Sequence, residues 1–133
     1  MSTYIDTSAF YALVDTTDSN HQAAVSTWQS LLQQGDMLIT SIYVVTETVA
    51  LLHNRFGTNV VRRLVDDNLP AVQIHWVDQQ MHSTALAAML ATPGRRGPSL
   101  TDCASLEVMR QLKLDNIFAY DLHFAELGLT VVG

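Results

Sequence analysis

Short apolar segments alternate with longer amphipathic stretches along the whole chain. The short segments are predicted to be strands and cover residues 4–5, 37–39, 72–76, 117–119 and 129–132. Strands alternating with helices are typical of a parallel sheet that is covered by helices on both faces. Because the crossovers in such sheets are right-handed, the C-terminal ends of all strands should lie at one edge, where ligands bind. The pattern therefore predicts an α/β fold.

The amphipathic stretches are predicted to be helices. Gly35 ends a helix over residues 20–33, and Asp18 and Ser19 are predicted to cap its start. Asp78 is predicted to cap another. The remaining helices are expected at 7–14, from 41 onward, from 57 to about 67, at 100–112, and briefly between the last two strands, with a turn-rich loop at 92–98. The helix from 41 is predicted to place five apolar residues on one stripe: Ile42, Val45, Val49, Leu52 and Phe56.

Length and composition indicate one globular domain over residues 1–133, without repeats or linkers. The single cysteine, the lack of a secretion signal and the lack of a long apolar run predict a cytoplasmic protein with no membrane association. The net charge of −6 argues against nucleic-acid binding through a basic surface. Either nucleic acid is not the partner, or some of the acids hold cations that reverse the local field. We favour the second interpretation.

Four acidic residues are predicted to meet at the C-terminal edge of the sheet. Asp6 follows the first strand and Asp121 closely follows the fourth. Glu47 lies in the second turn of the helix after the second strand, and Asp102 lies in the first turn of the helix that leads to the fourth strand. The predicted topology therefore brings together four carboxylates that are remote along the chain.

Each acid also has a structural explanation. Asp6 and Asp121 can cap the helices that follow them, and Ser99 with Asp102 fits a capping box. For these three acids taken singly, capping is the favoured role. Glu47 interrupts a segment that is apolar on nearly all sides and has no basic residue within one turn, so a merely structural role is less favoured for it.

The four acids are more informative together than singly. Several carboxylates close to one another repel, and a divalent cation relieves that repulsion. Mg²⁺ or Mn²⁺ suits carboxylate and water ligands, whereas the isolated cysteine and scattered histidines do not indicate zinc. Such a cation binds phosphate oxygens and lowers the pKa of a bound water, which is the chemistry of phosphodiester hydrolysis. Serine or cysteine catalysis is disfavoured, because Ser8 and Cys103 have no adjacent histidine.

The sequence resembles the PIN-domain nucleases, especially the toxin half of VapBC toxin–antitoxin pairs. The segments that carry the resemblance are residues 4–9, 40–47, 100–103 and 118–124, in family order over the whole chain. One departure is Cys103, which stands where alanine commonly follows the third acid of the family.

The resemblance implies an α/β/α sandwich around a parallel sheet and Mg²⁺- or Mn²⁺-dependent endoribonuclease activity. It also implies a small antitoxin partner and a homodimer. Four residues match the family's acids, and are assigned to catalysis and metal binding: Asp6, Glu47, Asp102 and Asp121. Thr7, Ser8 and Thr101 are candidate auxiliary residues, with helix capping the favoured role for each.

Arg95 and Arg96, in the loop ahead of Asp102, are the best candidates for contacts to RNA phosphates. Three other arginines could extend such a track along the helical hairpin, but a solvated helical face is the favoured role for them: Arg55, Arg62 and Arg63. Two alternatives to a toxin remain open: a stand-alone RNA-processing nuclease, and a catalytically idle PIN-like module that binds RNA or protein. Phosphoaspartyl chemistry at Asp6 is disfavoured, because Ser8 stands where that chemistry needs a second acid.

Overall fold

The computed structural model describes residues 1–133 and contains one five-stranded parallel sheet in the order β3-β2-β1-β4-β5. Its strands are β1 (Ser2–Ile5), β2 (Met37–Ser41), β3 (Val72–His75), β4 (Asn116–Phe118) and β5 (Thr130–Val132). Every neighbouring pair is parallel, with Thr3 of β1 opposite Leu38 on one side and Asn116 on the other. The predicted parallel sheet is therefore confirmed, and strand order reverses at β1.

Helices cover both faces of this sheet in an α/β/α sandwich. They are α1 (Thr7–Val14), α2 (His21–Gln34), α3 (Ile42–Phe56), α4 (Thr58–Arg63), α5 (Gln79–Leu90), α6 (Leu100–Leu112) and α7 (His123–Glu126). None of them is long and apolar enough to span a bilayer. After α4 the chain continues through a π-helical turn, Leu64–Asn68, and a 3₁₀ turn, Leu69–Ala71, before it enters β3.

Local sequence explains where several helices begin and end. Gly35 follows α2 with φ +73°, a conformation that glycine adopts without the steric cost of a Cβ. Asp78 accepts the backbone N–H of Met81 and so caps α5, as predicted. Ser99 and Asp102 form the predicted capping box at the start of α6.

The core lies on both sides of the central strands. Tyr4 and Ile5 of β1 and Ile117 and Phe118 of β4 are all fully buried, which is expected of strands that are covered on two faces. The Tyr4 hydroxyl donates to Oγ of Ser105 over 2.8 Å and thereby ties β1 to α6. This contact fixes the first turns of α6, and with them Asp102, relative to the end of β1.

Two local predictions were wrong. Asp18 does not cap α2: the N-cap is Asn20, which makes no side-chain cap bond, while Asp18 accepts the Asn20 N–H in the preceding turn. The apolar stripe of α3 is rotated from the predicted one: Val45 and Leu52 are buried as predicted, whereas Phe56 is 37% exposed. The side chains of α3 that are buried are Val44, Val45, Thr48 and Leu52. Thr48 lies on this buried stripe because its hydroxyl donates to the carbonyl of Val44, one turn earlier.

Candidate active site

A groove of about 1190 Å³ lies at the C-terminal edge of the sheet and is lined by all four predicted acids, Asp6, Glu47, Asp102 and Asp121. They arrive from four separate segments: the ends of β1 and β4, the second turn of α3 and the first turn of α6. Because β1 and β4 are neighbouring parallel strands, their ends lie side by side. The predicted topology thus does bring these acids to one groove.

Asp6 is held rigidly at the bottom of the groove. It is only 4% exposed and is the N-cap of α1. Its Oδ2 accepts the backbone N–H of Ser8 over 3.1 Å and the Ser8 hydroxyl over 2.7 Å. The Asp6 backbone N–H donates to the Phe118 carbonyl over 3.0 Å, which joins the ends of β1 and β4. Asp6 therefore caps a helix and lines the groove at the same time.

Asp102 also combines the two roles. Its Oδ2 accepts the Ser99 backbone N–H, and its own N–H donates to Ser99 Oγ, both over 3.1 Å. The side chain nevertheless stays 21% exposed and lines the groove. A residue in the first turn of a helix can accept a cap bond with one oxygen and present the other to solvent. The capping prediction and the site prediction are therefore compatible for Asp102.

Burial raises the pKa of the Asp6 carboxyl above its usual value, and the negative charge of Asp102 raises it further. The hydrogen bonds from Ser8 act in the opposite direction, because they stabilise the carboxylate. The ionised form of Asp6 is therefore held in an unfavourable environment at neutral pH. A positive charge placed in the groove would remove this penalty.

We expect Asp6→Asn to raise the free energy of unfolding at pH 7 in EDTA by about 1 kcal/mol. The raised pKa means that stability falls as pH increases from the unfolded-state pKa through the folded-state pKa, and the loss persists at pH 7. Asparagine stays uncharged and caps a helix as well as aspartate does, so the variant does not lose stability as the pH rises. Urea denaturation at pH 7 and at about pH 3.5 should show the advantage only at pH 7. The exposed Asp67→Asn serves as control. A destabilised Asp6→Asn at pH 7 would contradict the expectation.

Asp121 and His123 form a pair at the rim of the groove. Asp121 Oδ1 contacts Nδ1 of His123 and accepts the His123 backbone N–H over 3.2 Å. Nε2 of the same ring lies 4.0 Å from Oδ2 of Asp102 and is buried without a hydrogen-bond partner. The imidazole thus stands between two of the acids. This place of His123 between Asp102 and Asp121 was not predicted from the sequence.

Glu47 is half-buried and makes no hydrogen bond or ion pair within the protein. The segment around Glu47 is apolar in sequence, but Ala50 and Leu51 on the same side of α3 are exposed, so apolar side chains do not enclose Glu47. Burial therefore does not single out Glu47. What distinguishes it is its place in the groove, where Leu51 lies one turn and Arg55 two turns further along the same stripe of α3.

The predicted auxiliary residues differ in their surroundings. Ser8 Oγ donates to Asp6 and accepts the Tyr120 backbone N–H over 2.9 Å, so it links two acid-bearing segments. Thr7 is 8% exposed, lines the groove, and has a buried Oγ1 with no hydrogen-bond partner. Thr101 is half-buried and does not line the groove.

The arginines are not arranged as predicted. Arg95 and Arg96 are exposed, and neither lines the groove; Arg95 borders a separate depression that meets the groove at Ser99. The groove instead contains Arg55, which was assigned to a solvated face. Asp18 also lines the groove. No local sequence pattern places either residue in the groove, because tertiary packing brings their segments there.

The donor set suits a hard divalent cation, although the side chains do not form a complete coordination site. No three His, Cys, Asp or Glu side chains are arranged to hold a metal ion together. The features that fit a cation are the proximity of Asp6 and Asp102, the partnerless Thr7 Oγ1 beside them, and the all-oxygen chemistry of the four acids. The groove can therefore accept a cation if the exposed acids at its rim move.

Comparison with known proteins agrees with this geometry. The PIN domain family model matches residues 3–129. The 23S rRNA-specific endonuclease VapC20 of Mycobacterium tuberculosis is 28% identical over 130 residues, which are 97% of this chain and 96% of the relative.

Solved structures show the same fold. The crystal structure of Mycobacterium tuberculosis VapC20, described as a Sarcin-Ricin loop cleaving toxin, superposes with a TM-score of 0.83 at 27% identity over 96% of both chains. VapBC2 from Rickettsia felis gives a TM-score of 0.68 at 10% identity, covering 98% of this chain and 97% of that one. FitAcB from Neisseria gonorrhoeae gives 0.67 at 21% identity, covering 98% and 96%. The resemblance to VapC-type proteins is confirmed, and the chain belongs to the PIN domain family.

Proposed function

We propose that this chain is a divalent-metal-dependent endoribonuclease of the VapC type. The observation that carries the proposal is the groove in which Asp6, Glu47, Asp102 and Asp121 converge from four separate segments. Like charges brought together in this way destabilise a protein unless they serve a ligand. The VapC20 relative, whose name describes an RNA endonuclease, supports this reading.

Asp6 and Asp102 are proposed as the principal holders of Mg²⁺ or Mn²⁺, with Glu47 and Asp121 completing the set from the rim. A bound cation supplies a Lewis acid for a phosphate oxygen and lowers the pKa of a coordinated water. With this assignment the chain needs no nucleophilic side chain of its own. That agrees with Cys103, which is buried next to Asp102 in the chain and whose thiol pKa is raised by burial and by the charge of Asp102.

The residues around the acids position them. Ser8 holds Oδ2 of Asp6 and ties it to the end of β4 through the Tyr120 N–H. His123 holds Asp121 at the rim, which limits the rotamers of an otherwise 50% exposed carboxylate. The unsatisfied Oγ1 of Thr7 offers a hydrogen-bonding group beside Asp6. Preorganisation of this kind places charge before the substrate arrives, so little reorganisation is needed during the reaction.

RNA is the proposed substrate class, and large ribosomal RNA is the first substrate to test, since VapC20 is named for 23S rRNA. A toxin role with a small antitoxin partner follows from the resemblance to VapC proteins and from the toxin–antitoxin complexes among the structural neighbours. Homodimer formation and a cytoplasmic location are proposed with it. The acidic groove is where we place the bound RNA strand.

The decisive experiment is cleavage of purified 23S rRNA and of a mixed-sequence RNA by the isolated chain. We expect cleavage with Mg²⁺ or Mn²⁺ and none in EDTA, with recovery when the metal is restored. Cleavage that persists in EDTA would refute the metal-dependent mechanism. RNA binding without cleavage under any metal would instead establish the idle module as the correct interpretation.

A further inference from the structure

Arg55 is the only lysine or arginine among the residues that line the groove, which also include five acids: Asp6, Asp18, Glu47, Asp102 and Asp121. It lies on α3, on the same stripe as Glu47 and eight residues after it. At about 1.5 Å of rise per residue, the two positions are about 12 Å apart along the helix axis. The groove therefore has an acidic region and, two helical turns away, one cation.

The guanidinium of Arg55 is held in place by three neighbours. Nη1 donates to the Tyr11 hydroxyl over 2.6 Å and lies 3.6 Å from Oδ2 of Asp15. The guanidinium carbon stands 5.0 Å from the centroid of the Phe56 ring, a cation–π distance. Immobilising a flexible side chain before a ligand arrives lowers the entropy cost of binding. Arg55 is thus preorganised, which is unusual for an arginine on a solvated face.

The guanidinium still has unused binding capacity. Its side chain is 59% exposed, and Nη1 alone has a hydrogen-bond partner, so the N–H groups of Nε and Nη2 remain available. Arginine presents five N–H donors in a planar fork that matches phosphate oxygens. A phosphate can therefore bind without breaking the contacts that hold the side chain.

Neutralising Asp15 does not explain why an arginine stands at position 55. This carboxylate is 3% exposed, and its Oδ1 accepts the Thr17 backbone N–H over 2.9 Å and the Thr17 hydroxyl over 2.6 Å. The hydroxyl bond from Thr17 is the main cause that lowers the pKa of Asp15, and the charge of Arg55 contributes less. Asp15 is thus stabilised mainly by its own turn. Asp15 and Tyr11 hold the Arg55 side chain in place through Nη1 and leave its other N–H groups free to bind a ligand.

We propose that Arg55 forms a subsite for a backbone phosphate of the RNA strand, at the end of the groove away from the four acids. The inference rests on the proposed function and deepens it. Because Arg55 and Glu47 are separated by two helical turns, the phosphate that Arg55 holds is not the one being cut. In a chain with net charge −6, this contact supplies attraction where the remainder of the groove repels RNA.

The test compares Arg55→Gln with wild type in RNA cleavage. Loss of the contact should raise KM about tenfold and leave kcat within about twofold, because a phosphate remote from the reaction is held equally in ground and transition states. In the Asp6→Asn background, where RNA is not cut, a fluorescent single-stranded oligoribonucleotide should bind with a shallower salt dependence. The slope of log affinity against log salt should fall by about 0.7, the value for one lost phosphate contact.

Two variants separate a phosphate contact from a structural role. Arg55→Lys keeps the charge, so it should restore the salt slope while recovering only part of the affinity. Arg62→Gln removes an equal charge from an exposed position outside the groove and should leave KM and slope unchanged. If Arg55→Gln melts earlier than wild type but keeps the wild-type KM and slope, Arg55 is only a counter-ion of Asp15 and the subsite is refuted.

The proposed phosphate subsite can be refuted separately from the proposed nuclease function. A wild-type chain that cuts RNA with the same KM as Arg55→Gln would remove the subsite and leave the nuclease assignment intact. A wild-type chain that neither cuts nor binds RNA would remove both.

Discussion

Asp6→Asn is expected to lower kcat for RNA cleavage about 1000-fold, a loss of about 4 kcal/mol in transition-state stabilisation. The substitution removes the charge of the most buried acid in the groove and leaves its shape almost unchanged. Asparagine accepts the Ser8 hydrogen bonds and caps α1 nearly as well as aspartate does. Activity should therefore disappear without loss of structure. Single-turnover cleavage with saturating Mn²⁺ measures the effect, and circular dichroism verifies the fold.

Asp102→Asn should show a similar loss, because Asp102 is the neighbour whose charge acts on Asp6. Asp67→Asn makes the same chemical change at an exposed position on the π-helical turn, so it should keep full activity. If Asp6→Asn and Asp102→Asn retained more than about a tenth of the activity, the proposal that these acids perform catalysis would be wrong. Their place in the groove would then reflect capping alone.

Phe118→Ala is expected to lower the free energy of unfolding by about 4 kcal/mol, the largest stability effect that we expect in this chain. Phe118 is fully buried on β4, and its ring packs edge-on near Tyr120 with centroids 6.0 Å apart. Truncation removes this apolar surface from the core and leaves a cavity. Urea denaturation of the metal-free protein measures the loss.

Two further variants serve as controls for Phe118→Ala. Phe118→Leu keeps most of the volume and should cost about 1 kcal/mol, which provides a measurable variant if the alanine form does not fold. Trp76→Ala removes a larger ring that is 71% exposed and should change stability by less than about 0.5 kcal/mol. A loss at Phe118 no greater than at Trp76 would contradict the burial described for β4.

Much of the fold could be predicted from local patterns because its elements have clear chemical boundaries. The predicted bounds of α6 and α1 match the observed ones, since Ser99 and Asp6 mark their starts with side-chain caps. The α3 stripe was misplaced for a physical reason. Apolar periodicity shows which faces can be buried, and the sheet then buried the face that carries Thr48, whose hydroxyl is satisfied by its own helix.

The acids of the site could be predicted because their positions follow from topology. Asp6 and Asp121 each follow a parallel strand, and the C-terminal ends of parallel strands share one edge of the sheet, so the predicted parallel arrangement was enough to place both acids at that edge. The pairing of β1 with β4, which puts the two strand ends side by side, was not predicted. Whether they perform catalysis, and with which metal, stays a prediction. Capping and catalysis require the same carboxylate at the same place, as the double role of Asp102 shows.

The other groove residues could not be predicted, because long-range packing selects them. Arg55 is held by Tyr11 and Asp15, about forty residues earlier in the chain, and no local pattern connects the three. The loop arginines were favoured instead for their sequence proximity to Asp102. That reasoning failed because Arg95 points into a different depression.

The central position of β1 has a consequence for biosynthesis. One of the two pairing partners of Thr3, Asn116, is synthesised more than a hundred residues after it. At roughly 5–20 residues per second, that delay is on the order of ten seconds. Until β4 arrives, Asp6 lacks its bond to Phe118, and neither Asp102 nor Asp121 is in place. The four acids therefore cannot meet in one groove until the chain has been synthesised through Asp121.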